Sequence, residues 1–226
     1  MKIKKEELKP LVEPFIYDKL CEFEYELLTI KAKDLLTWNR FIIAFNLFYL
    51  DMIEKNELLA RKVYTEMIRA VSFGSFIEPG REAEKNNIQK FFFEFNETFS
   101  SIKKDGFEKT KTIIPLANDY SILNGSHRIA SAIYLDQNVN CINCNKERMV
   151  DDYKALYLQN VPPKTLDIIA TKFIEYSENV FIAFLWPSGV GHKKEAVSKF
   201  SRVVYEKSIT LTPKGGLNLL VELYKH

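Results

Sequence analysis

The residues best equipped for chemistry stand together in the stretch SILNGSHRIASAIYL: Asn124, Gly125, Ser126, His127 and Arg128. The short apolar run before them reads as a strand and the pattern after them as a helix, so the group sits where one gives way to the other. A helix begins with unpaired backbone N–H groups and the positive end of its dipole, which makes its first turn a site for anions. Gly125 lets the backbone approach a ligand at angles closed to other residues. Ser126 adds a hydroxyl donor, and Arg128 a planar fork suited to phosphate oxygens. His127 can donate, accept or carry a proton near neutral pH. The chemistry so described is a phosphate cradle with one titratable group in it. The plain alternative is an ordinary strand–turn–helix corner, with Ser126 as N-cap and Arg128 paired to a carboxylate.

The elements that must position this corner follow from the hydrophobic spacing. Residues 1–70 read as a helical region, broken by Pro10 and Pro14, with a long amphipathic pattern from Thr37 to Ala70 that Thr37 is placed to cap. The cluster Glu54-Lys55-Asn56-Glu57 divides that pattern into two helices. Val71–Arg81, with Gly74, Pro79 and Gly80, reads as strand and turn. A helix then runs to a stop at Asp105-Gly106. KTIIPLA and YSILN read as short strands around an Asn118-Asp119 turn, followed by the helix HRIASAIYLDQ, the strand VNCINC and the helical run KERMVDDYKALYLQ. Pro162-Pro163 closes this block, so the core is expected over 71–161. Over 162–226 helices and strands alternate, ending in a helix KGGLNLLVELYKH, which suggests a small α/β extension. That last pattern has no C-cap, which suggests the front of a longer protein. The fold class expected is α+β.

The segment ETFSSIKKDGFEKTKTIIPLANDYSILNGSHRIASAIYLDQNVNCI resembles the core of the ParB/sulfiredoxin-like fold. The features that carry the likeness are Ser101-Ile102, Gly106-Phe107, Ile114-Pro115-Leu116, the Gly125-Ser126-His127-Arg128 turn, and Ala130 with Ala132. Upstream, SFIEPGR lies where that family has its first strand and turn. The resemblance covers about residues 71–147. It implies that Asn124, Gly125, Ser126, His127 and Arg128 bind nucleotide phosphates. Within the family, His127 and Arg128 match the free-serine-kinase branch. That branch has an aspartate and a first histidine where this chain has Asn124 and Ser126. Ser126 stands where sulfiredoxins carry their catalytic cysteine, which argues against sulfinic-acid repair. With no basic helix-turn-helix downstream, the sequence also argues against the DNA role of ParB proteins. Without the branch's aspartate, Glu78 and Asp119 are the nearest acidic candidates for the base, beside His127.

The likeness therefore implies a nucleotide-dependent phosphotransferase that uses ATP or ADP with Mg²⁺. Its acceptor is a small hydroxylated metabolite such as a sugar or amino-acid derivative of surface-polysaccharide synthesis. The alternatives are a non-catalytic nucleotide-binding regulator or interaction module, and the front part of a larger multidomain transferase.

Composition bounds the remaining classes. The chain has 226 residues and a net charge of +2, so no general field draws it to nucleic acid or anionic membrane. MKIKKEELKP leads into no apolar signal region, and Phe41–Ile53 is too short for a membrane span and carries Asn46 and Asp51, so it reads as a buried helix. A cytoplasmic location is expected, in keeping with an odd count of 3 cysteines. Cys141 and Cys144 have knuckle-like spacing but no second pair, so a strand with two cysteines is expected in place of a zinc site. Phe91, Phe92, Phe93 and Phe95 read as helix core. FLWPSGVGHKKE fails as a P-loop because Lys194 follows Lys193 where Ser or Thr is required. An anion-binding turn at Ser188, Gly189 and Gly191, or a plain exposed loop, remains for that stretch.

Overall fold

The computed structural model describes residues 1–78, 85–108, 110–177, 180–185, 203–210 and 218–225. The chain is α+β and divides into two compact units, Met1–Ile169 and Ala170–His226. That division lies seven residues or so beyond the Pro162-Pro163 pair, within a helix.

The first unit is built on a four-stranded sheet. Its strands are β1 (Lys2–Lys4), β2 (Glu24–Lys31), β3 (Ile114–Leu116) and β4 (Asn138–Asn143), in the order β1-β2-β4-β3. β2 runs antiparallel to both β1 and β4, with Leu28 opposite Cys141, while β3 is parallel to β4, with Ile114 opposite Cys141. The expected all-helical N-terminal region is thus corrected. EYELLTIK is the second strand of the sheet, and the residues before it form strand β1 and the single-turn helices α1 (Lys5–Leu8) and α2 (Pro14–Tyr17). This segment supplies Leu8, Val12, Ile16 and Leu20, which pack with Ile113, Leu123, Ile142 and Cys144 in one buried cluster. Association with the sheet, and not local propensity, decides the state of such a half-exposed segment.

The other helices of the unit are α3 (Ile42–Met52), α4 (Glu57–Val71), α5 (Ile88–Asp105), α6 (Ser126–Tyr134) and α7 (Tyr153–Leu158), and α8 (Pro163–Tyr176) spans the division between the units. Every residue of α3 from Ile42 to Leu50 is buried, as befits a helix apolar on all faces, and it packs between α4 and α6. Among the described residues no helix is long and apolar enough to cross a membrane. The helical pattern does break between α3 and α4, where Asn56 caps α4 by accepting the Leu59 amide. Thr37, expected as a cap, stands before the helix and its hydroxyl has no partner, while Phe41 occupies the N-cap of α3. Residues 71–78 form no strand: α4 runs to Val71 and a turn follows, and residues 79–81 of the expected strand and turn lie outside the described residues.

α5 ends where expected, on Gly106 at φ 77°, whose N–H returns to the Ile102 carbonyl. Phe91, Phe92 and Phe95 are core, whereas Phe93 is 65% exposed. YSILN pairs only at the isolated Leu116–Ile122 bridge, after a turn closed by the Tyr120 amide on the Ala117 carbonyl. From there α6 crosses over to the parallel β4, the connection that parallel strands require. The helical run expected over Lys146–Gln159 is confined to α7.

The second unit holds β5 (Val180–Leu185), β6 (Val203–Thr210) and β7 (Asn218–Lys225), an antiparallel sheet in the order β5-β7-β6. The expected final helix is therefore strand β7, which pairs with β5 from Leu220 to Lys225 and with β6 from Asn218 to Tyr224. The loop and helix expected over residues 186–200, with Ser188, Gly189, Gly191, Lys193 and Lys194, lie outside the described residues.

Candidate functional site

The corner between β3 and α6 is held by its own polar groups. Asn124 Oδ1 accepts the Gly125 N–H at 2.6 Å, and Gly125, the N-cap of α6, takes φ 94° and ψ 31° in the left-handed region. A side chain is excluded there twice over. The angle disfavours one, and a Cβ would meet Ile114 Cδ1 at 2.9 Å and the Arg128 Nε and Nη2 at 3.0 Å. The Arg128 guanidinium thus lies folded against the glycine, with Nη1 donating to the Thr112 hydroxyl. Among the described residues the Ser126 and His127 amides meet no acceptor, as expected for the first turn of a helix. Ser126 is the first helical residue and gives no side-chain cap.

His127 is placed from three sides. Its Nε2 is 2.8 Å from the Tyr64 hydroxyl of α4, and its ring stacks on Phe95 of α5 with centroids 4.4 Å apart. Its own helix holds it through Ser131, whose hydroxyl donates to the His127 carbonyl at 2.8 Å. Burial pushes the imidazole pKa well below its ordinary value, and the Lys85 and Arg128 charges push the same way. Burial pushes the Tyr64 phenol well above its own, so it keeps its proton and the pair is neutral at physiological pH.

The corner opens into a cavity of about 280 Å³ that Asn124, Gly125, Ser126, His127 and Arg128 line together with Glu78. Six of the residues singled out from the sequence are therefore brought to one place. Asp119 does not line it. Its Oδ1 accepts the Ser121 amide at 3.1 Å and hydroxyl at 2.6 Å, and Oδ2 lies 3.5 Å from Arg148. Burial raises its pKa, but these donors outweigh that and hold the carboxyl below its ordinary value, which suits a turn and not a base.

The cavity also contains charged groups that no local motif announced. Lys85, 3% exposed, puts Nζ 3.0 Å from Glu78 Oε2 and 3.4 Å from Glu94 Oε2, and 4.5 Å above the Phe91 ring. A second arginine, Arg40, reaches the cavity from the segment before α3, where its Nη1 pairs with Asp151. Glu13 lines it from the start of α2. Lys103 and Lys111, close in sequence to β3, are engaged elsewhere: Lys103 over Phe99, Lys111 with Asp105 at 2.9 Å. Lys109 lies outside the described residues.

The cysteines follow the strand expectation. Cys141 is buried within β4 and Cys144 just beyond it, while Cys21 is exposed. Among the described residues no group of three or more His, Cys, Asp or Glu side chains is placed to hold a metal ion. Compared with protein-family models, with curated proteins and with solved structures, the chain matches none.

Proposed function

We propose that the protein is a nucleotide-dependent phosphotransferase acting on a small hydroxylated metabolite. One observation carries this reading. The first turn of α6, with its open amides and Arg128 folded onto Gly125, shares a cavity with the carboxylates of Glu78 and Glu94. An anion site beside a base is the equipment that phosphoryl transfer needs, since its catalysis is mostly positioning and charge stabilisation. The ParB/sulfiredoxin-like likeness of residues 71–147 and its kinase branch support the same assignment. At about 280 Å³ the cavity is slightly below the roughly 300–1,000 Å³ of drug-sized sites, so it fits the phosphate end of ATP or ADP and a small acceptor.

In this scheme the Ser126 and His127 amides and Arg128 hold the donor's phosphoryl oxygens. Glu78 takes the proton of the acceptor hydroxyl as the new P–O bond forms and the bond to the leaving nucleotide breaks. His127, neutral and fixed by Tyr64 and Phe95, steadies the developing charge as a hydrogen-bond donor. The donor set fits Mg²⁺ of the kind shared with substrate, because that ion takes one or two carboxylates plus phosphate oxygens. Glu94, which lines the same cavity, would hold it together with the phosphate oxygens, leaving Glu78 as the base. Bound there, the ion would neutralise charge on the phosphate oxygens.

The test is phosphorus NMR on the protein with ATP or ADP, Mg²⁺ and a panel of small alcohols. A new phosphomonoester signal, reduced about a hundredfold or more in His127→Ala and Glu78→Gln, is the expected result. A different observation favours a second reading: Glu78 is tied to Lys85 at 3.0 Å, as suits a sensor that binds nucleotide without turning it over. Binding that Arg128→Ala abolishes, with no product in any mixture, would decide for the sensor.

A further inference from the structure

The phosphate-binding corner leaves two charged groups of the cavity unused, Arg40 and Glu13. Arg40 is 4% exposed, and among the described residues only its Nη1 meets an acceptor, the Asp151 carboxylate. Its Nε is buried without a hydrogen-bond partner. A guanidinium largely stripped of water with a single acceptor is a costly arrangement, and an oxyanion entering the cavity, which Arg40 lines, would give its fork a second one. The segment is rigid enough to keep the fork in place. Arg40 pairs with Asp151 through an isolated β-bridge, the Phe41 amide donates to the Asp151 carbonyl, and the Asp151 amide to the Asn39 carbonyl.

Arg40 and Arg128 come from segments far apart in the chain, and the donor's phosphoryl group already has Arg128 and two helix amides. Lys85 is engaged by Glu78 and Glu94. We propose that Arg40 forms a second anion subsite in this cavity, one that takes a phosphate or carboxylate carried by the acceptor. Glu13, which lines the same cavity, selects within that class by accepting a hydrogen bond from a hydroxyl on the same molecule. This builds on the assignment of the α6 turn to the donor and makes the acceptor itself an acid.

Calorimetric titration of the full chain with inorganic phosphate tests the subsite without nucleotide or turnover, so it stands apart from the kinase reading. Wild-type protein is expected to bind phosphate in two separable events. Arg40→Lys keeps a charge for Asp151 but lacks the planar fork of donors, and should weaken one event about tenfold or more while leaving the other. Arg128→Ala should do the reverse. If Arg40→Lys fails to fold by circular dichroism, the charge-neutral pair Arg40→Met with Asp151→Asn replaces it. Repeating the titration with acetate names the anion: competition for the Arg40-dependent event indicates a carboxylate acceptor, and none a phosphorylated one. A single event lost equally in both arginine variants, or two events that survive both Arg40 variants, overturns the proposal.

Discussion

The Tyr64 hydroxyl lies 2.8 Å from Nε2 of His127, and the same histidine ring stacks on Phe95. The contact joins α4 to the first turn of α6 and decides which imidazole nitrogen is left for a ligand. Tyr64→Phe keeps the ring packing with Tyr49 and Phe92 and removes only the hydroxyl. Leaving a buried nitrogen without its partner should lower unfolding stability by about 1 kcal/mol in urea melts. Phosphate affinity should not change, while turnover falls. Unaltered turnover would mean that the hydroxyl only packs.

His127 gives the fold a pH dependence of definite sign. Its folded pKa is lowered, chiefly by burial, so between that value and the ordinary value of about 6.5 the unfolded chain binds more protons than the folded one. Its contribution is fully present above about pH 6.5 and is lost as pH falls toward the folded pKa. Thermal melts of His127→Asn should accordingly change less with acidification over that window than those of the wild type. The rate of any phosphoryl transfer should show no inflection near pH 6.5 from this group. Parallel melting curves for the two proteins would contradict both statements.

The three cysteines separate cleanly by environment. Burial raises the Cys141 thiol to about 12 and the Cys144 thiol to about 11, so neither forms thiolate at neutral pH. Cys21 is exposed, with the Lys146 ammonium 3.4 Å from its sulfur. An aromatic disulfide reagent should label native protein at Cys21 alone and all three sites after denaturation, with mass spectrometry to locate the adducts. Rapid native labelling of Cys141 would show that β4 opens readily.

Where a feature was encoded within a few residues, the sequence made it readable. Gly106 stopped α5, the apolar run of α3 had to be buried, and Asn124–Arg128 formed one corner because they are consecutive. Strands β2 and β7 were misread because EYELLTIK and NLLVELYK mix Glu and Leu at spacings a helix also uses, and only pairing with β4 or β5 resolves them. The same reason hid half of the cavity. Arg40, Lys85 and Glu94 have no motif around them, and Tyr64 is one aromatic among many on an amphipathic helix. Packing of α3, α4 and α5 against α6 turns them into neighbours. Asp119 shows the reverse error, since an acidic residue close in sequence to the corner is used up in a turn.

Lys85 is held between Glu78 and Glu94, and the three charges depend on one another. Lys85→Met removes the cation and leaves two half-buried carboxylates without it, which should cost about 2 kcal/mol after allowance for their partial solvation. Adding Glu78→Gln removes the repulsion as well, so the double variant should be more stable than Lys85→Met alone. Urea melts of the four members of this cycle measure the coupling directly. Additive losses would mean that the lysine does not bind the two acids together.

Gly125→Ala tests the corner at its tightest point. The added methyl would sit 2.9 Å from Ile114 Cδ1 and 3.0 Å from two nitrogens of Arg128, at a φ of 94° that alanine tolerates poorly. The strain alone should lower stability by about 1–3 kcal/mol. Both neighbours must shift: the Ile114 side-chain end, buried in β3, has little room, while the Arg128 guanidinium is displaced from the glycine. The fork then leaves the open amides of Ser126 and His127, and phosphate affinity at that turn should fall about tenfold in calorimetry, beyond what the stability loss explains. A variant that melts lower yet binds phosphate as the wild type does would separate the glycine's role in folding from any role in the ligand site.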